Sequence, residues 1–174
     1  MSEILLATFL DAIFAAVAGL GFAYVSSPPR KTLFLTAFLA AVGHSFRFML
    51  TKTDLLGISV ATLLASFLIG VLGMAFAKRL KVPAEVIAFP ALLPMVPGIY
   101  AYKSILALVL FSRHEHVDMK SYYLIQFLDN ALITLSVSLA LGVGVSITLL
   151  LFYEQALMST RGARKFRLRV DDED

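Results

Sequence analysis

Long runs of apolar residues, separated by short polar segments, dominate this 174-residue chain. Residues 55–77 form the clearest run, because they include no charged residue and, as a helix, can cross a hydrocarbon core of about 30 Å. Asn130 to Tyr153 is a second uncharged run, whose helix is predicted to start near Tyr122, with Tyr153 as an interfacial anchor at its far end. Runs of this length predict membrane-spanning helices rather than a soluble domain.

Two more apolar runs precede residue 55. Residues 4–25 are interrupted by one charge, that of Asp11, and no Lys or Arg comes before them. The segment therefore lacks the basic region of a cleavable signal peptide, and it is expected to remain in the mature protein. Residues 33–50 are expected to form the second span, because a Ser-Ser-Pro-Pro sequence at 26–29 separates them from the first.

The apolar run 86–111 contains three prolines, Pro90, Pro94 and Pro97, and Gly98 follows the last of them. Each proline inside a helix removes a backbone hydrogen bond and clashes with the preceding turn, at a cost of about 3 kcal/mol. In lipid such a break persists only where protein or water satisfies the freed polar groups. We therefore predict a discontinuous helix here.

The predicted fold is an all-α integral membrane protein with five transmembrane helices, the fourth discontinuous at the Pro/Gly break. A single transmembrane domain is predicted at 1–154, with spans at about 4–25, 33–50, 55–77, 84–111 and 122–153. Nine charged residues in the last fourteen positions, 161–174, predict a disordered cytoplasmic tail over 155–174.

Lys and Arg in the connections set the expected orientation, because cytoplasmic loops carry an excess of them. With five spans, ten basic residues lie on one side, namely Arg30, Lys31, Lys78, Arg79, Lys81 and the five of the tail. The other side receives Lys52, Arg113 and Lys120. The C-terminus is therefore predicted in the cytoplasm and the N-terminus outside. A re-entrant fourth segment would place the tail opposite Arg30 and Lys31, which the charge count disfavours.

Composition narrows the classes of function. Hydrophobic residues make up 59% of the chain and charged residues 16%, against about 25% charged in soluble proteins. The absence of cysteine excludes disulfides, thiolate metal sites and cysteine nucleophiles. No G-x-S-x-G, H-E-x-x-H or Walker motif appears, so we expect neither an enzyme nor a cofactor. Most basic residues flank apolar runs, which explains the net charge of +3 without nucleic acid, and the charged loop 113–118 is expected to be solvated rather than to bind a metal.

Five polar side chains are predicted in the outer half of the bundle, each within about 12 Å of the outer boundary at the helical rise per residue. They are Asp11, His44, Arg47, Lys103 and Asp129. One interpretation is an ion-paired, partly hydrated cluster along a path, in which Asp11, His44 and Asp129 exchange the coupling proton or ion. The alternative is that Arg47 and Lys103 snorkel to the interface and that His44 only hydrogen-bonds a neighbouring helix.

The stretch from Phe89 to Lys103 is the most informative, because its break lies near the middle of the fourth span. A helix restarting at Gly98 would point unpaired N–H groups and the positive end of its dipole into the membrane centre, which favours a carboxylate. Broken helices of this kind indicate a transporter's substrate site, and the alternative is a proline-kinked structural helix. The candidate substrate-binding residues are Pro94, Pro97, Gly98, Tyr102, Lys103 and Arg47.

Small and polar residues form a stripe at i,i+4 spacing on the last span, consisting of Asn130, Thr134, Ser138, Gly142 and Ser146. A similar stripe on the third span consists of Ala65, Ser66, Gly70 and Gly73. Such stripes let another helix approach closely, so packing is their expected role. Because polar side chains in a stripe could still face a hydrated path, Asn130 is kept as a candidate for ion coupling.

Several of these motifs resemble the threonine/serine exporter family in its short, split form, in which two different membrane proteins make up the transporter. The resemblance covers most of the chain. It is carried by Asp11 with Gly21-Phe22-Ala23, by Gly43-His44-Ser45-Phe46-Arg47, by Ala65-Ser66 with Gly70 and Gly73, and most specifically by Pro94 to Tyr102. Lys103 and Asp129 depart from the family pattern.

The resemblance implies a multi-span inner-membrane exporter of small amino acids or, in some split systems, of dicarboxylates such as succinate, driven by an ion gradient. It also implies an oligomer with a second membrane subunit of the same family, which has its own five-span half and a cytosolic N-terminal region. We therefore expect a secondary transporter subunit that works by alternating access around the broken fourth helix. Two other classes stay open: a non-transporting scaffold whose partner alone holds the site, and a channel.

Overall fold

The computed structural model describes residues 2–52 and 56–151. Within them the α-helices are α1 (Ser2–Val25), α2 (Arg30–Lys52), α3 (Ile58–Leu80), α4 (Glu85–Leu92), α5 (Gly98–Arg113) and α6 (Val117–Leu151). A short 3-10 turn, Leu93–Met95, lies between α4 and α5. The predicted anchor Tyr153 and the predicted cytoplasmic tail at 155–174 lie outside the described residues.

Four of these helices, α1, α2, α3 and α6, are each long and apolar enough to cross a membrane. The segment made of α4 and its 3-10 turn, taken together with α5, passes the same test and is bent by 49°. Counting this bent pair as one span gives five spans in the described part of the chain. The predicted all-α membrane fold, with a fourth apolar segment broken at the Pro/Gly stretch, is thereby confirmed. The last helix begins at Val117, on the N-terminal side of the predicted start near Tyr122.

The Ser-Ser-Pro-Pro sequence ends α1 and starts α2. Ser27 has a positive φ of 50°, and the two prolines that follow have no N–H with which to continue a helix. Oγ of Ser26 donates to the carbonyl of Phe22 at 3.0 Å, which satisfies one of the last carbonyls of α1. The carbonyl of Pro29 then accepts from Oγ1 of Thr32 at 2.7 Å in the first turn of α2. The two helices therefore lie side by side in opposite directions.

A lysine contact fixes the start of α2 against the end of α3. Lys81 ends α3 with a positive φ of 55°, and the N–H of Val82 reaches back to the carbonyl of Ala77 at 3.1 Å. Nζ of Lys31 donates to the carbonyl of Leu80 at 2.8 Å, so a cation meets the negative end of the helix dipole. The basic residues at these two helix ends are thus at the same end of the bundle.

The break in the fourth span occurs at 93–97 and not at the first proline. Pro90 lies inside α4 and is buried, so this helix continues past it to Leu92. Pro94 belongs to the 3-10 turn, and Pro97 is the residue that precedes α5. The N–H of Gly98 donates to the carbonyl of Val96 at 2.8 Å, which closes the turn into α5.

The core lies where α2, α3, α4, the 3-10 turn and part of α6 meet. Its largest fully buried apolar side chains include Leu39, Ile69, Ile87 and Met95, each 1% exposed or less. Alanines on the same helices let the backbones approach, as is typical of helix packing in membranes. The first half of the broken span is therefore inside the bundle, whereas α5 packs mainly on α6.

The contact between α3 and α6 uses only one of the two predicted small-residue stripes. On α3 the predicted stripe is buried, namely Ala65, Ser66, Gly70 and Gly73. On α6 the buried residues at this height include Ala140, Gly144 and Thr148, whereas Ser138, Gly142 and Ser146 of the predicted stripe are exposed. Two residues correspond to about 200° around a helix, so the face of α6 that contacts α3 is nearly opposite to the predicted one at this height.

Candidate functional site

Three side chains and one carbonyl form a continuous array of polar contacts that joins α1, α2 and the break. Oδ2 of Asp11 on α1 lies 2.6 Å from Nδ1 of His44 on α2. Nε2 of the same imidazole lies 3.0 Å from one terminal nitrogen of Arg47. The other terminal nitrogen of Arg47 donates to the carbonyl of Met95 at 2.9 Å. We call Asp11, His44, Arg47 and the Met95 carbonyl the polar array.

Helix geometry and two glycines bring the polar array together. His44 and Arg47 are three residues apart, which places them on the same face of α2. A Cβ built on Gly19 of α1 would lie 2.5 Å from Cβ of Ala40, so the absence of a side chain lets α1 and α2 come close. A Cβ on Gly43 would meet the side chain of Ile69 on α3, so the same region of α2 is also held close to α3.

The contacts of Arg47 determine where the imidazole proton of His44 lies. A guanidinium only donates hydrogen bonds, so Nε2 of His44 must be the acceptor and carries no proton. The one ring proton of the neutral imidazole is then on Nδ1, which donates to the carboxylate of Asp11. The array as found therefore contains one carboxylate, one neutral imidazole and one guanidinium. Its formal charge is zero, which reduces the cost of placing it inside membrane-spanning helices.

Arg47 also stabilises the break, because one of its terminal nitrogens donates to the carbonyl of Met95. The broken helix leaves this carbonyl without a partner in its own helix. In a continuous helix the carbonyl of Met95 would accept from the N–H four residues later, but the 3-10 turn ends at Met95 and α5 leaves at a 49° bend. Freed backbone groups at membrane depth must be satisfied by protein or water. The guanidinium thus links the state of His44 to the geometry of the break.

An open cavity of about 430 Å³ lies next to the polar array. His44 and Arg47 line it together with Tyr100 from α5 and Thr51 from the end of α2. Another cavity, of about 470 Å³, lies between the 26–29 loop and the start of α4, and it contains none of the predicted site residues. Of these two cavities, only the one beside the polar array is lined by predicted site residues.

The other predicted substrate residues lie on both sides of the break. Pro97 is buried and Pro94 is partly exposed, whereas Gly98 is exposed and has no neighbour within 4 Å of an added Cβ. Tyr102 is 66% exposed on α5, and Lys103 beside it is exposed as well. The structure therefore brings Arg47 to the break, and leaves Tyr102 and Lys103 on the outer surface of this chain.

The predicted cluster of five polar residues forms only in part. Asp129 is exposed on α6 and takes no part in the contact between Asp11 and His44. Asn130 is buried, but its Nδ2 donates to the carbonyl of Gln126 on its own helix at 2.7 Å. Asp11, His44 and Arg47 thus meet, while Lys103 and Asp129 do not join them. Over the described ranges no group of three His, Asp or Glu residues is arranged to hold a metal ion.

Two polar side chains that line the cavity, those of Thr51 and Tyr100, were not singled out from the sequence. Tyr100 lies inside the proline-rich motif and lines the same cavity as Arg47. Thr51 is one helical turn after Arg47, and its Oγ1 donates to the Arg47 carbonyl at 3.0 Å. The i,i+4 spacing from Arg47 was a visible signal for Thr51. No comparable signal identified Tyr100, because its approach depends on the direction of α5 after the bend.

Long apolar helices, a broken span and a partly buried polar array define a multi-span helical membrane protein. Comparison with known proteins makes this more specific. The description "Threonine/Serine exporter, ThrE" applies to a family that matches residues 11–151, and the chain belongs to this family. The matched residues include the whole polar array and the break.

A curated relative from Haemophilus influenzae, described only as an uncharacterized protein, is 32% identical to this chain over 145 residues. The match covers 83% of this chain and 48% of the relative, so the chain spans about half the length of that relative. No solved structure matches the chain.

Proposed function

We propose that the chain is a subunit of a secondary transporter, rather than an enzyme, that exports small carboxylate-bearing metabolites. The substrates proposed are threonine and serine, or a dicarboxylate such as succinate, and an ion gradient drives their export. Membership of the threonine/serine exporter family supports a transporter role. The observation that carries the proposal is the polar array, because Arg47 connects the titratable pair Asp11 and His44 to the break. Ionisable residues inside membrane spans are costly and mark ion and substrate pathways.

The proposed mechanism is alternating access around the broken fourth span. Arg47 donates to the Met95 carbonyl, so a substrate carboxylate that binds the same guanidinium acts directly on a group that holds the break. Asp11 and His44 then exchange the coupling proton. Gly98 leaves open space at the start of α5, and Pro94, Pro97, Tyr102 and Lys103 are the remaining substrate-binding candidates. Asp129 and Asn130 remain candidates for ion coupling.

The proposed partner is a second membrane subunit of the same family with a cytosolic N-terminal region. The 48% coverage of the relative is compatible with a transporter of which this chain is one part. Lys103 and Asp129 are also exposed within helices that cross the membrane. A charged side chain is costly in contact with lipid, so contact with a partner protein or with water is more favourable for both residues. We place the complex in the inner membrane, with the N-terminus of this chain outside and its C-terminus in the cytoplasm.

The test is flux in proteoliposomes that contain this chain with and without the proposed partner. Labelled serine, threonine and succinate are loaded, a pH gradient is applied, and efflux is measured. We expect Asp11→Asn to abolish gradient-driven efflux while the protein still inserts. Asp118→Asn is the matched control, because Asp118 is an exposed carboxylate in the first turn of α6, and it should transport as the unmodified chain does.

The same experiment separates the transporter from a scaffold and from a channel. Full efflux by Asp11→Asn would remove that residue from the mechanism. Flux that survives Pro97→Ala combined with Gly98→Leu in this chain would favour a scaffold whose partner alone holds the site. Saturable flux argues for a carrier, whereas conductance that does not saturate would argue for a channel.

A further inference from the structure

The cavity beside the polar array has the features of a small anion site. Its volume of about 430 Å³ lies within the range of about 300–1,000 Å³ that is typical of small-molecule pockets. Arg47 and His44 supply charge and hydrogen-bonding groups on one wall, and Tyr100 supplies a hydroxyl on another. Among the described residues that line it none is acidic, while Phe48 and Ile58 provide apolar surface. A carboxylate with a short carbon chain fits this combination.

We infer that this cavity is a carboxylate subsite that becomes able to bind its ligand when His44 takes up a second proton at Nε2. The inference deepens the proposed function, since it assigns the regulation of the same site and rests on that function for its role in transport. Binding itself can be measured without transport, so the two proposals can fail separately.

The hydrogen-bonding pattern of His44 makes the site dependent on a proton. As found, Nε2 accepts from Arg47 while Nδ1 donates to Asp11. A proton added at Nε2 turns that atom into a donor, and it then faces another donor, the guanidinium, at a distance of 3.0 Å. The hydrogen bond is lost and two cations face each other. Asp11 still accepts from Nδ1 in both states, so the ring stays in place while Arg47 must move.

The terminal nitrogen of Arg47 that loses its bond to His44 can turn toward the cavity. Its other terminal nitrogen remains on the Met95 carbonyl, which keeps the guanidinium at the edge of the cavity that it already lines. The array now has a formal charge of +1, from one carboxylate, one imidazolium and one guanidinium. A substrate carboxylate restores neutrality and accepts from both cations, through charge-assisted hydrogen bonds.

The titratable and charged groups around His44 come from α1, α2 and α5. Asp11 faces it from α1, Arg47 lies on its own helix α2, and Tyr100 faces the same cavity from α5. The residues of α3 that line the cavity, among those described, include no titratable side chain. A proton at His44 and a carboxylate should therefore bind together, and by linkage each raises the affinity for the other by the same factor. A proton bound in this way leaves with the substrate, so gradient-driven export requires a further proton, for which Asp11 is the candidate.

The test is calorimetric titration of succinate into the purified full-length chain in lipid nanodiscs between pH 8 and pH 6. We expect the affinity to rise as the pH falls, by at most about tenfold per pH unit, which is the limit for one linked proton. Titrations in two buffers of different ionisation enthalpy should show proton uptake approaching one per succinate bound. Affinity that falls on acidification, proton release, or no binding at any pH would each overturn the inference.

Variants assign the effect to named atoms. His44→Gln should bind succinate with an affinity that no longer depends on pH, and Arg47→Gln should bind at least about tenfold more weakly, since the charged donor is gone. Arg47→Lys keeps a charge and serves as a second variant if Arg47→Gln does not fold. The matched controls are His116→Gln and Arg79→Gln, two exposed residues away from the cavity, which should behave as the unmodified chain. Wild-type pH dependence in His44→Gln would contradict the inference.

Nitrogen NMR gives a direct readout of the proton. The chain has three histidines, so a His114→Gln, His116→Gln background leaves the ring of His44 as the one imidazole signal. Saturating succinate at constant pH should convert the Nε2 signal from the unprotonated to the protonated form. An Nε2 that stays unprotonated with succinate bound would overturn the inference. Succinate binding with proton uptake but without flux in proteoliposomes would instead defeat the proposed function and leave the subsite standing.

Discussion

Oδ2 of Asp11 and Nδ1 of His44 lie 2.6 Å apart, so a short polar contact joins the first two spans inside their membrane-crossing lengths. Both side chains are largely buried, at 21% and 18% exposure. If Asp11 is replaced by Leu, the Nδ1–H of His44 loses its acceptor, and we expect the stability to fall by about 1–3 kcal/mol. Asp11→Asn should cost less, because an amide oxygen can still accept from Nδ1–H. Thermal unfolding in nanodiscs measures both.

The control for this comparison is Thr8→Val, one helical turn before Asp11 on α1. Oγ1 of Thr8 donates only to the carbonyl of Ile4, four residues earlier, so little stability should depend on it. If Asp11→Leu were as stable as the unmodified chain while Asp11→Asn lost transport, the carboxylate would have a functional role without a structural one.

Gly144 of α6 is in direct contact with α3, and this predicts a sharp difference between two glycines of one helix. A Cβ on Gly144 would collide with Oγ of Ser66 and lie 2.7 Å from the carbonyl oxygen of Leu63. Because backbone cannot yield as a flexible side chain does, we expect Gly144→Ala to cost about 1–3 kcal/mol. Gly142→Ala has open space and should be neutral or slightly stabilising, since Ala favours helix over Gly.

The melting temperatures of these two variants in the same detergent provide the measurement. Equal losses of stability would mean that α6 approaches α3 through a different face. A loss confined to Gly142→Ala in the presence of the partner subunit would instead identify the exposed stripe as a contact between subunits.

Gly98 allows function to be tested separately from folding. Apart from its chain neighbours and its own helix backbone, no atom lies within 4 Å of an added Cβ at Gly98, which is at the start of α5 next to the break. We therefore expect Gly98→Leu to fold with unchanged stability and to reduce substrate efflux by at least about tenfold, by filling space that the substrate or the moving break needs. Gly21→Leu on α1, which also has open space, is the matched control and should transport normally. Normal flux in Gly98→Leu would remove the start of α5 from the substrate path.

The fold followed from the sequence because its main signals are local. Apolar runs of sufficient length predict spans one at a time, and prolines predict a break without any knowledge of neighbours. Even here the position of the break depended on packing. Pro90 sits within α4 although a proline inside a helix is costly, and the break comes at 93–97.

The site was less predictable because it depends on how helices rotate against each other. Depth along the spans correctly placed Asp11, His44 and Arg47 near one another, but depth carries no information on which face a residue lies. Lys103 and Asp129 lie at a depth similar to that of the polar array, but they are on outward faces of their helices and are therefore exposed. The exposed part of the predicted stripe on α6 does not contact α3, because Gly142 and Gly144 lie on nearly opposite faces.

The cysteine-free chain makes the course of the fourth span directly testable. Lys31 bonds the end of α3, so the 26–29 loop and Arg79 share one end of the bundle. If α4 and α5 together cross the membrane, the loop before α6 lies on the other side; if they form a re-entrant hairpin, it lies on the same side. A helical path from Glu85 to Arg113 would span roughly 40 Å at the usual rise, which is enough to cross.

We therefore expect single-cysteine variants to react with an impermeant maleimide from opposite sides. Ser27→Cys and Arg79→Cys should be labelled from the cytoplasmic face, because basic residues cluster at that end. His116→Cys, in the exposed loop before α6, should be labelled in intact cells. Labelling of all three from the cytoplasmic side would establish a re-entrant segment, while labelling of Ser27→Cys and Arg79→Cys from outside would reverse the orientation. In the re-entrant case the 49° bend would be a hairpin tip, and alternating access around a spanning fourth helix would have to be abandoned.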